Sequence, residues 1–150
     1  MRLTNLLQPE LIQLELEQKT MPAALEELIS LLMEANRLKD RDGFTKAVLD
    51  REAQRSSGIG RGVAIPHARN EAIGQASIAF GRSRAGIDWQ ALDHSPVHLV
   101  FLLATPMNAG AEHLKALARL ARILRHNEHR QAFLDAGSKD EIIQIIGEAE

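Results

Sequence analysis

The chain has 150 residues, 45% of them hydrophobic and 25% charged, with a formal net charge of −2 at pH 7 and no cysteine. That length fits one domain able to bury a core without covalent staples. The composition excludes disulfides, thiol catalysis and thiolate metal sites, and the slight negative charge argues against a nucleic-acid binder.

The start, MRLTNLLQPELI, lacks the long apolar core of a secretion signal. The longest apolar run, VHLVFLLA, is far short of the roughly 18 residues of a membrane span. These features predict a cytoplasmic protein with no membrane insertion. Within ELIQLEL, Leu14 and Leu16 alternate with polar residues and predict a short strand. TMPAALEELISLLMEANRL predicts a helix, with Thr20 as its cap, Pro22 in its first turn, and a stripe of Leu25, Leu28, Ile29 and Leu32. DRDGFTKAVLDREAQR predicts a second helix that buries Phe44, Val48 and Ala47.

GVAIP reads as a short buried strand ending at Pro66, and QASIAFGRS and PVHLVFLLA as two further strands, the second apolar enough to be central. AGAEHLKALARLARILRH predicts a helix with Leu114, Leu117, Leu120, Ala121 and Leu124 on its inner side. EHRQAFLDA and SKDEIIQIIGEAE complete the chain as helices, the last capped by Ser138 with Glu141 three residues on. The mixture predicts an α/β fold: one mixed β-sheet sandwiched between α-helices in a single domain spanning residues 1–150.

The chemistry concentrates in SSGIGRGVAIPHARN, residues 56–70. The surrounding residues 51–69 are locally positive, with Arg51, Arg55, Arg61 and Arg69 against Glu52 alone. The glycines at 58, 60 and 62 match neither the P-loop, which needs a Gly-Lys-Ser/Thr ending, nor the dinucleotide fingerprint. No bound nucleotide is expected, although backbone N–H groups here could face an anion. Pro66 fixes its own φ and biases Ile65 toward extended backbone, so His67 is held at the end of a stiff segment. His67 reads either as a nucleophile or as a satisfied loop histidine. His113, near the edge of the apolar stripe, and Arg51, near a helix end, read as surface residues unless the fold gathers all three. His94 with His98, and His126 with His129, lack the surrounding carboxylates of a zinc motif, and no metal or cofactor is expected.

REAQRSSGIGRGVAIPHAR, residues 51–69, resembles the active-site segment of phosphotransferase-system enzyme IIA domains of the fructose/mannitol type, a group that includes nitrogen-regulatory enzyme IIA proteins. VHLVFLLATP and AEHLKALARLA resemble the family's central strand and the helix carrying its second active-site histidine. The resemblance implies that His67 accepts a phosphoryl group from an HPr-type phosphocarrier, on Nε2, with His113 and Arg51 beside it. It implies support for the phosphate from Ser57, Gly58 and Gly60, and no cofactor. It also implies as partners either regulated target proteins, in a nitrogen or metabolic regulatory role, or a separate IIB component during sugar uptake. A stand-alone chain without cysteine or transporter segment leans toward the regulatory role. The family's usual threonine is Ser57 here, and its usual glycine after the histidine is Ala68, whose methyl group disfavours left-handed backbone.

Overall fold

The computed structural model describes residues 2–150 and builds from local signals that the chain carries. Helix α1 (Met21–Glu34) starts where the Thr20 hydroxyl accepts the Ala23 N–H at 3.4 Å, with Pro22 in its first turn. It ends four residues before the expected Leu38. Asn36 adopts a left-handed φ of 60°, and the N–H groups of Asn36 and Arg37 return to the carbonyls of Met33 and Leu32. That paired closure is a Schellman stop, with asparagine where glycine is usual. Helix α2 (Arg41–Gln54) is capped by Asp40, whose carboxylate accepts the Gly43 N–H at 3.0 Å.

Six strands form one mixed sheet: β1 (Ile12–Gln13), β2 (Gly58–Gly60), β3 (Val63–Ala64), β4 (His67–Asn70), β5 (Ser77–Ile87) and β6 (Val97–Pro106). The order is β1-β5-β6-β3-β2, with β4 also paired to β6. β5 and β6 are antiparallel, whereas β1 runs parallel to β5, and β3 and β4 run parallel to β6. The alternation read around Leu14 and Leu16 yields only two paired residues, with a return to the sheet through Leu16 N–H to Arg82 O at 2.7 Å.

Helices α1 and α2 cover one face of the sheet; α3 (Gly110–Leu124), α4 (Asn127–Asp135) and α5 (Lys139–Ala149) cover the other. Strand β6 feeds both layers, as its period of two demands. Val100, Leu102 and Ala104 pack toward α1 and α2, while Leu99, Phe101 and Leu103 pack toward α3–α5. On the second face Phe80, Phe101 and Phe133 meet with ring centroids 5.0–6.0 Å apart. Arg82, buried in β5, donates to the carbonyls of Leu14, Phe133, Leu134 and Ala136, so its charge ties the end of α4 to the sheet.

The glycine-rich stretch is not an open loop. Gly58–Gly60 pairs with β3, and the hairpin turns at Gly60, Arg61 and Gly62, all with positive φ (96°, 57° and 81°). Gly58 itself is needed for close approach, since an added Cβ would lie 2.8 Å from the Cβ of Ala91. After β3, the chain kinks at Pro66, whose carbonyl accepts Leu103 N–H at 2.9 Å, and then continues along the same edge of β6 as β4. His67 therefore opens a strand rather than following one.

The inner side of α3 differs from the expectation. The buried residues are His113, Ala116, Leu120, Ile123 and Leu124, whereas Leu114 is 67% exposed and Ala121 is also exposed. Among the described residues, no helix is long and apolar enough to cross a membrane.

Candidate functional site

In β4, alternation puts His67 and Arg69 on one face and Ala68 on the other, where Ala68 joins the core against α1 and α2. Ala68 has no left-handed φ, so its methyl is accommodated by ordinary strand backbone. Register sets His67 opposite Leu103 and Arg69 opposite Thr105 on β6. Helix α3 begins just beyond β6 and brings His113 back over this end of the sheet.

The His67 and His113 rings lie with centroids 5.4 Å apart, tilted by 57°. Nδ1 of His67 is 2.8 Å from the carbonyl oxygen of Ile65, two residues earlier. A carbonyl only accepts, so Nδ1 carries the proton and Nε2 keeps its lone pair. Nδ1 of His113 lies 2.7 Å from the hydroxyl of the fully buried Thr105. The two rings thus share one mode of restraint, each tied through Nδ1 with Nε2 unrestrained by it.

Arg51, in the last turn of α2, completes the pocket with Arg69, and its Nη1 donates to the Arg55 carbonyl at 3.3 Å. The pocket measures about 680 Å³, and its lining includes Arg51, His67, Arg69 and His113 beside the apolar Met107 and Leu114. Two guanidinium groups and two imidazoles facing one cavity suit a multiply charged oxyanion. Burial lowers the pKa of both histidines. For His67 the Arg51 charge adds to that effect, against the opposing pull of the Ile65 carbonyl and Glu52. For His113, burial, His67 and Arg69 together bring the pKa down to about 4. Both rings are neutral at pH 7, the form in which an imidazole nitrogen can act as a nucleophile.

The structure thus gathers His67, His113 and Arg51. Ser57, Gly58 and Gly60 lie outside the pocket lining. The N–H groups of Ser57 and Gly58 are already bonded, to the Glu52 carboxylate and the Ser56 hydroxyl, each at 3.1 Å. These residues shape the hairpin that leads to Pro66. Away from the pocket, the rings of His98 and His129 meet the carbonyls of Ser83 and Ile123. No three His, Cys, Asp or Glu side chains converge on a metal position among the described residues.

Residues 5–149 match the family described as "Phosphoenolpyruvate-dependent sugar phosphotransferase system, EIIA 2". The chain belongs to the EIIA 2 family. Membership implies phosphoryl-carrier activity through a phosphorylated histidine. This EIIA domain is 43% identical over 148 residues to the PTS system fructose-specific EIIABC component of Bacillus subtilis, matching along 99% of its own length but only 23% of that protein's. It is 39% identical to the PTS system fructose-specific EIIA component of Haloferax volcanii, covering 93% of this chain and 90% of the relative. The crystal structure of the nitrogen regulatory protein IIA-Ntr from Neisseria meningitidis superposes with a TM-score of 0.89 at 33% identity, covering 95% of this chain and 97% of that one.

Sequence reasoning assigned no role to two polar residues of this EIIA site. Arg69 stood in the sequence as one charge of a basic stretch, and its i, i+2 spacing from His67 in a strand was the available signal. Thr105 sits in an apolar run, and only the fold reveals that its hydroxyl meets His113.

Proposed function

We propose that this EIIA domain accepts a phosphoryl group on Nε2 of His67 from an HPr-type phosphocarrier and passes it to a IIB component of a fructose-type sugar system. The observation that carries the reading is the Nδ1–H of His67 bonded to Ile65 O, which leaves Nε2 as the nucleophilic nitrogen. The Nε2 lone pair forms a bond to phosphorus, and the N–P bond to the carrier's histidine breaks, its electron pair returning to that nitrogen. The His67 ring becomes cationic in this step, and the Ile65 carbonyl stabilises it through a charge-assisted hydrogen bond.

The transferring group bears its charge on its equatorial oxygens, so catalysis consists of position and electrostatic stabilisation. Arg51 and Arg69 supply fixed positive charge. We assign the Thr105 hydroxyl as the donor to Nδ1 of His113, 2.7 Å away, which puts the His113 proton on Nε2, where it is offered to a phosphoryl oxygen. No acid–base step is required of His113, in keeping with its low pKa.

The sugar-transport role is favoured by the two fructose-specific relatives, at 43% and 39% identity. A second reading, phosphorylation-dependent control of target proteins, draws on 40% identity to a nitrogen regulatory protein of Bradyrhizobium diazoefficiens and on the superposition with IIA-Ntr. Mixing the phosphorylated protein with a fructose-type IIB separates them. Rapid loss of phosphate to IIB supports the sugar role, whereas stable retention supports the regulatory one.

A further inference from the structure

Glu52 adjoins Arg51 in sequence, is half-buried, and does not line the pocket. Its carboxylate turns instead to Ser57, accepting the Ser57 N–H at 3.1 Å and the Ser57 hydroxyl. The indole N–H of buried Trp89 reaches the same serine oxygen at 3.0 Å and Glu52 Oε1 at 3.3 Å. Three donors converge on one carboxylate, an arrangement that suits a group able only to accept.

What Ser57 does next links this cluster to the imidazole. The Ser57 carbonyl accepts the Ile65 N–H at 3.0 Å, and the Ile65 carbonyl accepts Nδ1–H of His67 at 2.8 Å. The peptide groups around Ile65 are thus fixed from one side by Ser57 and presented on the other to His67. Ser56 reinforces the same junction by donating to the Trp89 carbonyl at 2.8 Å.

We propose that Glu52 and Trp89 clamp Ser57 so that the Ile65 carbonyl stays aimed at His67, which makes both of them positioning residues for phosphoryl transfer. The proposal rests on His67 being the acceptor. Glu52 also balances Arg51 electrostatically, since its charge favours the protonated His67 ring and that of Arg51 disfavours it. Glutamine at position 52 keeps the volume but brings an N–H₂ group toward donors, and phenylalanine at 89 removes the indole donor while keeping an aromatic ring.

The test compares Glu52→Gln, Glu52→Ala and Trp89→Phe with wild type by two measurements. The first is the His67 tautomer, read from ¹⁵N–¹H spectra of histidine-labelled protein. The second is steady-state phosphorylation by a phosphorylated HPr-type carrier. We expect a mixed His67 tautomer in the Glu52 variants and a kcat roughly ten- to hundredfold lower with KM for the carrier unchanged, the pattern of a misplaced reactive group. Folded variants that keep the wild-type tautomer and kcat overturn the clamp, as does a loss confined to KM. Should Glu52→Ala fail to fold, the isosteric Glu52→Gln decides the question. A wild-type protein that takes no phosphate overturns the functional reading, while the tautomer spectra still decide the clamp.

Discussion

Arg69 and Gly110 occupy one space: a Cβ built on Gly110 would stand 2.8 Å from Nη1 of Arg69. The absent side chain at the first residue of α3 lets the guanidinium lie across the helix start and into the pocket. Gly110→Ala should therefore displace the tip of Arg69 while leaving the helix intact. Folded stability should change by less than about 1 kcal/mol, because the helix-interior preference for alanine is only partly felt at the first residue of α3. Phosphoryl acceptance should slow roughly tenfold through lost positioning. Thermal melts together with single-turnover phosphorylation check this; an unchanged rate would show that Arg69 contributes nothing to transfer.

His67→Ala should abolish the acid-labile phosphate while the protein remains folded. The ring is only half-buried, and its Nδ1 bonds a carbonyl two residues away, so little of the core depends on it. Phosphate mapping under alkaline conditions is the measurement, and a labelled histidine elsewhere in the chain would refute the assignment.

Arg51→Ala should slow phosphorylation by about a hundredfold, the order observed when one donor to a developing oxyanion is removed. The side chain donates to the Arg55 carbonyl at 3.3 Å within the last turn of α2, so the stability loss should stay below about 1 kcal/mol. The His67 pKa should rise in this variant, because Arg51 is one of the groups that lower it. Imidazole titration followed by NMR tests the direction.

His113 makes stability depend on pH. Its folded pKa of about 4 lies below the unfolded value of 6.5, so the unfolded chain takes up the proton first. Stability from this group is complete above pH 6.5 and declines as pH falls toward 4. His113→Asn should flatten the melting temperature against pH across that window, and a slope equal to wild type would contradict the low pKa.

Thr105→Val should lower stability by about 1–3 kcal/mol, since it keeps the volume but leaves the buried Nδ1 of His113 without its partner. Urea unfolding of the two proteins measures the difference. A variant as stable as wild type would mean that His113 finds another partner.

The helices and the central strand were legible because their signals are local. Thr20, Asp40 and Ser138 are followed at three residues by the N–H groups that they cap. His67 stood out from its motif, and the fold sets its ring beside that of His113. The inner face of α3 was not, since Leu114 has the spacing of a core residue and yet forms an apolar rim of the pocket, 67% exposed. Periodicity identifies an apolar stripe without saying whether a core or a cavity lies against it. Strands β2 and β4 were hidden for another reason. They are three and four residues long, too short for an alternation to show; β2 folds back on β3 through a glycine turn, and β4 pairs with a strand more than thirty residues away. Trp89 was equally silent, being 32 residues from the serine it bonds.

Because β4 and β6 lie in register from His67–Leu103 to Asn70–Pro106, the distance between the two histidines is a property of strand alignment as much as of motif spelling. One residue inserted between Pro66 and His67 would keep every residue of both signatures and change only the Pro–His step. It would nonetheless turn the imidazole to the opposite side of the sheet, into the layer now occupied by Ala68. The fixed Pro66–His67 step therefore sets which side of the sheet the imidazole occupies, and with it the meeting of His67 and His113.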